Sequence, residues 1–511
     1  MPDWPRSGRR CFSSRRRAGG VVATSARAAG ASVLDERSVA LALLAVLVAI
    51  GAAFAAQLLE RLIFGVTNVA FLGHWSVAHA EPMESARGVR LLLVPVLGAA
   101  IVGLMARFGS RAIRGHGIPE VMERVLFGES RIPGRVMVLK PLSAAIAIGT
   151  GGPFGAEGPI IATGGALGSV AGQYLHVSAD ERKTLLAAGA AAGMAATFGT
   201  PLSAVLLAVE LLLFEYRARS LIPVALAAVT AAAIRVAFKG SAPVFASAPF
   251  AAPGEAALAG YALLGALMGA LAAGITATTY AVEDLFERLP VHWMYWPLIG
   301  ATVVGVCGLI EPRVLGIGYS NIVSALDGKT VGVALAVLAT LKFIAWVAYL
   351  GSGTSGGTLA PLFTVGSGLG GLIGAAAARW VPALGVEPRV AALVGMAAVF
   401  AGCSHAVLAS VVFAFETTRQ PVGVLPLLAG CSAAYLVALL IRRTSIMTEK
   451  LARRGIDVRT EYSLDHLTRI AVRDGCVRDV QTLLATARVA DVRDALVLAP
   501  AGPQGFPVLD G

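Results

Sequence analysis

Charge is what this chain has least of. Asp, Glu, Lys and Arg make up 14% of its 511 residues, where a soluble domain carries about 25%. Apolar residues make up 56%. So little charge cannot solvate the surface of a water-soluble protein of this length. The stretches 38–59, 184–209, 256–282, 289–310, 390–415 and 420–441 hold no charged residue at all. Each is as long as the roughly 20 residues that cross a bilayer. The composition therefore reads as an all-α polytopic membrane protein, since a helix satisfies its own backbone polar groups in lipid.

Other shortages exclude other chemistry. The five cysteines, Cys11, Cys307, Cys403, Cys431 and Cys476, are scattered without a CxxC pair, which excludes a disulfide framework and a zinc module. His74, His79, His116, His292 and His405 have no ligand spacing, and Ser352 and Ser355 stand outside any GxSxG pattern. A membrane-embedded enzyme needs such a cluster or a nucleophile–base pair, so none is expected, and neither is a metal or an organic cofactor. A cation carrier needs several carboxylates or unwound carbonyls converging at the midplane. The acids here are isolated.

What charge there is lies mostly at the two ends. Residues 1–37 carry eight arginines against three acids in a Ser- and Gly-rich setting. That reads as a disordered cytoplasmic tail under the positive-inside rule, not as a nucleic-acid-binding arm. It lacks the short apolar core of a signal peptide. Residues 442–511 carry eleven Lys/Arg and nine Asp/Glu, a balance expected of a soluble appendage, with RIAVRDG, TARVADVRDALVLAP and GFPVLDG reading as strand, helix and strand.

Glycine, by contrast, is abundant, with 59 residues. Residues 343–378 are a run of 36 without a charge. One helix of that length would reach about 54 Å, far beyond a hydrocarbon core of about 30 Å. In its middle lies GSGTSGGTLAP (351–361), so two segments are expected to meet at a break inside the membrane. Such a break is tolerated only where it is buried in protein or lines a polar cavity. A second break, GTGGPFGAEGPI (149–160), matches it, with Gly149/Gly351, Gly151/Gly353, Gly155/Gly357 and Pro159/Pro361 coinciding. The segments that follow, 185–210 and 391–416, also superpose without a gap, ending on Glu210 and Glu416. Corresponding broken segments in two halves point to a transport site at the midplane.

Three glycine-punctuated stretches open apolar helices: GHGIPE (115–120), GAEGP (155–159) and GTLAP (357–361). In each, proline occupies the first helical turn, where its missing N–H is no loss. The glycines before it leave backbone N–H groups uncovered. A helix N-terminus with free donors carries about half a positive charge and binds anions. Partial charges suit a permeating ion, which must be released as well as held. Glu157 is itself an anion at such an end, and would leave it once protonated. It is the candidate gate and a candidate proton carrier.

In this order and at roughly these spacings, GHGIPE, GAEGP and GSGTSGGTLAP resemble the signature regions of the CLC family of chloride channels and chloride/proton exchangers. The likeness spans about 38–455 and includes LLAAGAAAGMAATFGTPLSAVLLAVE (185–210). It implies about eighteen membrane helices in two inverted halves, here 38–238 and 255–441, with a final cytoplasmic-side helix over 443–456. It also implies a homodimer with one pore per subunit, in a bacterial inner membrane with both termini cytoplasmic. Glu157 matches the gating glutamate. Gly115, His116, Gly117, Ile118, Ala156, Gly158, Thr358, Leu359, Ala360 and Met447 match the surroundings of the anion. The tail 457–511 resembles the start of a cystathionine-β-synthase (CBS) domain, of which only a fragment is present.

The departures from the family pattern bear on mechanism. His116 stands where a serine hydroxyl usually holds the ion, Ala156 where arginine precedes the glutamate, Thr358-Leu359 where Ile-Phe precedes Ala-Pro, and Met447 where a tyrosine faces the ion. Imidazole can donate to an anion, and its charge can titrate near neutral pH; a structural histidine bonded to a backbone carbonyl is the equal alternative. Exchangers of the family carry a second acid after the glutamate of the LLAVEL helix. Here that position is Leu211, leaving Glu210 and the more distant Glu215 either as candidate proton-path residues or, the favoured reading, as structural acids near the cytoplasmic end. On this ground the sequence favours passive chloride conduction gated by Glu157, with chloride/proton exchange as the alternative.

Overall fold

The computed structural model describes residues 36–84, 88–175, 177–455, 483–490, 492–493 and 508–509. Seventeen α-helices lie among them. Eight form the first half: α1 (Glu36–Thr67), α2 (Arg90–Phe108), α3 (Ile118–Phe127), α4 (Gly134–Gly149), α5 (Glu157–Tyr174), α6 (Ala179–Phe198), α7 (Pro201–Ala208) and α8 (Ala218–Lys239). Eight more follow in matching order: α9 (Glu255–Glu287), α10 (Trp296–Ile310), α11 (Tyr319–Leu326), α12 (Gly332–Gly351), α13 (Leu359–Trp380), α14 (Pro388–Ser404), α15 (Val407–Thr418) and α16 (Val424–Ile441). A short α17 (Glu449–Arg453) closes the described part of this unit. Eight helices among the described residues are long and apolar enough to cross a membrane.

The long apolar run breaks as its length requires, α12 ending at Gly351 and α13 starting at Leu359. Two other runs, 184–209 and 390–415, read as single spans in the sequence but are each two helices. Gly199 (φ 68°) separates α6 from α7, and His405 (φ 62°) separates α14 from α15. A left-handed residue ends a helix, its N–H closing back on the carbonyl of the residue four before; here Gly199 bonds Ala195 and His405 bonds Ala401. The last helix is also shorter than the expected 443–456. The Ser445 hydroxyl accepts from the N–H groups of Met447 and Thr448, both at 3.2 Å. That local turn competes with helix over its first residues.

The halves are related by a two-fold axis that inverts one against the other. Gly155 and Gly357 are repeat mates, and they pair with each other in an antiparallel bridge. Each donates its N–H to the other's carbonyl, at 3.4 and 3.0 Å. A residue that pairs antiparallel with its own mate lies on the axis relating the two. The glutamates ending the superposed segments repeat the relation. Glu210 accepts from Leu408 and Ala409 at the start of α15, at 3.1 and 3.0 Å. Glu416 accepts from Leu202 and Ser203 at the start of α7, at 3.0 and 2.8 Å. Each half thus caps a helix of the other, a carboxylate against orphan N–H groups.

The chain divides into compact units at Arg459/Thr460. In the second unit the described secondary structure includes one parallel pair, β1 (Leu483–Leu484) with β2 (Val508–Leu509). The Arg-rich tail 1–37 and the CBS-like segment 457–511 lie almost wholly outside the described residues.

Candidate functional site

The three glycine-rich stretches come together at one point. Gly115 donates to the Thr354 carbonyl at 3.1 Å, joining the first stretch to the third. The Gly155–Gly357 bridge joins the second to the third. The approach leaves no room for side chains. A Cβ on Gly117 would sit 2.5 Å from the Gly158 carbonyl oxygen, and one on Gly158 would sit 2.2 Å from that of His116 and 3.0 Å from Gly357 Cα. The N-termini of α3, α5 and α13 therefore start in mutual contact, which concentrates three positive helix ends in one buried place.

Glu157 is fully buried at this junction. Its carboxylate lies beside the second and third stretches: a Cβ on Gly155 would collide with Oε2, and one on Gly357 would lie 3.1 Å from it. Oε1 accepts from the Tyr319 hydroxyl at 2.6 Å. Oε2 has no partner. Two other buried polar atoms on these stretches have no partner, His116 Nδ1 and Thr358 Oγ1. Unsatisfied buried polar atoms are rare and each calls for an explanation. Such atoms on stretches whose helix N-termini converge suit a site for a small anion.

Of the residues singled out in the sequence, Gly115, His116, Gly117, Ile118, Ala156, Glu157, Gly158, Thr358, Leu359 and Ala360 are all buried on these three stretches. Met447 is buried in the turn before α17. A tyrosine hydroxyl does reach that turn, but from α9: Tyr280 donates to the Ile446 carbonyl at 2.7 Å. Tyr280 and His116 border one cavity of about 310 Å³, with Arg111, Arg114 and Lys450. Glu210 caps α15, as described. Glu215 lies apart, accepting from Ser220 Oγ at 2.6 Å. Leu211 is buried.

Four residues that carry the site's geometry went unassigned in the sequence. Glu120 Oε2 accepts from the Gly117 N–H at 2.7 Å, so the third residue of α3 satisfies its N-cap donor. Lys140 on α4 is buried, and its ammonium donates to the carbonyls of Ile113 and Gly115, both at 2.8 Å. Lys342 on α12 is its repeat mate, also buried, donating to Val314 at 2.9 Å and Gly316 at 2.8 Å. Each lysine pins the loop that launches the next short helix of its half. Tyr319 opens α11. A signal for both Lys342 and Tyr319 was present: the spacing that carries Gly155 to Gly357 carries Lys140 to Lys342 and Gly117 to Tyr319.

An inverted repeat of broken helices, with their N-termini meeting around a buried carboxylate, defines a membrane transporter of the anion-handling class. The model of the voltage-gated chloride channel family matches residues 97–439. The chain belongs to that family, the CLC proteins. It is 31% identical over 359 residues to the H(+)/Cl(-) exchange transporter ClcA of Vibrio cholerae, covering 68% of this chain and 76% of that protein. It is 29% identical over 375 residues to a putative ClcB-like chloride channel protein of Ralstonia nicotianae, covering 72% and 86%. Its fold resembles the crystal structure of a slow cyanobacterial Cl-/H+ antiporter, with a TM-score of 0.72, 23% identity and coverage of 82% and 98%.

Proposed function

We propose that the protein is a chloride/proton exchanger in which converging helix N-termini hold chloride and Glu157 alternates with it. The observation that carries this is the Glu157 carboxylate, fully buried at the junction of α3, α5 and α13. A carboxylate there occupies the place of an anion. Protonation removes its charge, so the helix ends then favour chloride, which links proton uptake to anion entry. His116 Nδ1 and Thr358 Oγ1 stand ready as side-chain donors beside the backbone N–H groups.

The sequence reading placed passive conduction first because of Leu211. The relatives favour exchange instead, since a 31%-identical protein is named an H(+)/Cl(-) exchange transporter. Both Glu210 oxygens accept from the start of α15, which favours a capping role for it. The proposal extends to a homodimer with one pore per subunit, in a bacterial inner membrane with cytoplasmic termini, as the resemblance implies.

The test is the zero-current potential of proteoliposomes under a chloride gradient, with the pH gradient varied. Exchange predicts that the potential follows pH with a fixed stoichiometry. A potential indifferent to pH establishes passive conduction and sinks the proposal. Glu157→Gln should alter chloride flux and remove its pH dependence.

A further inference from the structure

We propose that Tyr319 is the latch of this gate: its hydroxyl holds the Glu157 carboxylate over the converging helix ends, and chloride enters when that bond is released. The inference rests on the reading of Glu157 as the gate. The 2.6 Å contact lies within the range of short hydrogen bonds to ionised acceptors. Among the described residues, Tyr319 is the side chain that hydrogen-bonds this carboxylate.

The hydroxyl is held in place from two sides. The ring packs against Phe198 and Phe245, with centroids 5.9 and 5.7 Å away. The chain entering α11 is pinned by the Lys342 ammonium, bonded to the Val314, Gly316 and Ile317 carbonyls. A donor fixed in this way loses little freedom on bonding, so the latched arrangement is preorganised. A cavity of about 80 Å³ borders Tyr319, lined also by Glu60, His79 and Glu81. Besides Lys342 on α12, these are the titratable groups of that cavity among the described residues, and each has other engagements. Glu60 pairs with Lys239, Glu81 accepts from Ser320 at 2.9 Å, and the His79 ring lies 4.9 Å from that of Phe64.

The latch makes the gate sensitive to protons. A phenolic O–H bonds an ionised carboxylate about twice as strongly as a neutral acceptor. Protonating Glu157 therefore weakens the latch in the same step that removes the competing charge. Losing the hydroxyl should ease release even while the carboxylate is ionised.

The experiment compares chloride efflux from liposomes holding the full chain, its Tyr319→Phe variant, Glu157→Gln and the double variant, over a range of external pH. Phenylalanine keeps the ring packing and removes only the hydroxyl. Tyr319→Phe is expected to raise efflux at alkaline pH roughly tenfold, and to move the half-activating pH about one unit toward alkaline, the equivalent of about 1.4 kcal/mol. In the Glu157→Gln background it should change nothing further. The latch is overturned if Tyr319→Phe keeps the wild-type rate and pH profile while Glu157→Gln abolishes pH dependence. It is equally overturned if Tyr319→Phe changes efflux by the same factor in both backgrounds, the mark of loosened packing. If Glu157→Gln leaves pH dependence intact, the gate reading itself fails and takes the latch with it.

Discussion

Gly158→Ala is the sharpest test of the converging helix ends, because it adds one methyl group at their meeting point. Gly158 lies within α5 and is not among the glycines with positive φ, so the substitution probes space alone. The new Cβ would stand 2.2 Å from the His116 carbonyl oxygen, where ordinary contact begins at 3.4 Å. The backbones must part by the difference, 3.4 − 2.2, or about 1.2 Å. Both sides of the clash are backbone, so no side chain can swing away. Overpacking of this kind typically costs about 1–3 kcal/mol, which leaves most of the protein folded. The effect on the site is larger, since a misplacement near 1 Å at a positioned site can cost about 10²-fold. Chloride efflux per folded protein, with folding checked by size-exclusion elution, should fall by about that factor. Gly274→Ala on α9 is the control. Nothing lies within 4 Å of its added Cβ, and alanine favours a helix by about 1 kcal/mol, so flux should be unchanged. Gly158→Ala protein that folds and transports within twofold of wild type would refute the close convergence of α3 and α5.

Thr358→Val removes a buried hydroxyl that has no partner in the protein. Thermal stability should hold or rise slightly, while chloride affinity in titration calorimetry falls roughly tenfold, as loss of a bond to a charged group implies; unchanged affinity would place that hydroxyl away from the ion. Glu416→Ala strands the N–H groups of Leu202 and Ser203 and should destabilise by about 2 kcal/mol, read as a melting temperature lower by a few degrees. Glu210→Gln should leave chloride/proton stoichiometry unchanged, and a loss of coupling would show that Glu210 carries protons.

Much of the site could be read from glycine and proline, because a helix that stops and restarts inside a membrane needs those residues wherever it does so. The 149–160 and 351–361 stretches announced their breaks, and their common spacing announced the repeat. The repeat itself did not reveal its inversion, since a repeat in sequence looks the same parallel or antiparallel; the family resemblance implied it, and the Gly155–Gly357 bridge shows it. The division of 184–209 and 390–415 was hidden for another reason. Gly199 is one glycine among many in an alanine-rich run, and His405 adopts a left-handed turn that no residue type demands. Glu210 read as a structural acid, but not as the cap of α15, because its partners lie 198 and 199 residues away.

The two-fold scaffold makes an asymmetric pair conspicuous. Applying the spacing that relates Gly155 to Gly357, the mate of Glu157 is Leu359 and the mate of Tyr319 is Gly117. One half supplies the acid and the other supplies the hydroxyl that holds it, while the symmetric counterpart of this contact is a leucine facing a residue without a side chain. Nor can the counterpart be completed. Gly117 has φ 94°, and a Cβ there would lie 2.5 Å from the Gly158 carbonyl oxygen. Paired helix ends related by a two-fold axis would treat the two faces of the membrane alike, so on the proposed reading the direction of gating comes from Glu157 and Tyr319. Leu359→Glu tests this directly. The added carboxylate would be fully buried, as Leu359 is, and Gly117, at the place matching Tyr319, has no hydroxyl to hold it. It should reduce the yield of folded protein or slow chloride without adding a second pH dependence. Efflux that instead becomes newly sensitive to pH at the opposite membrane face would show that an acid alone makes a gate, and that the latch is not what gives this one its direction.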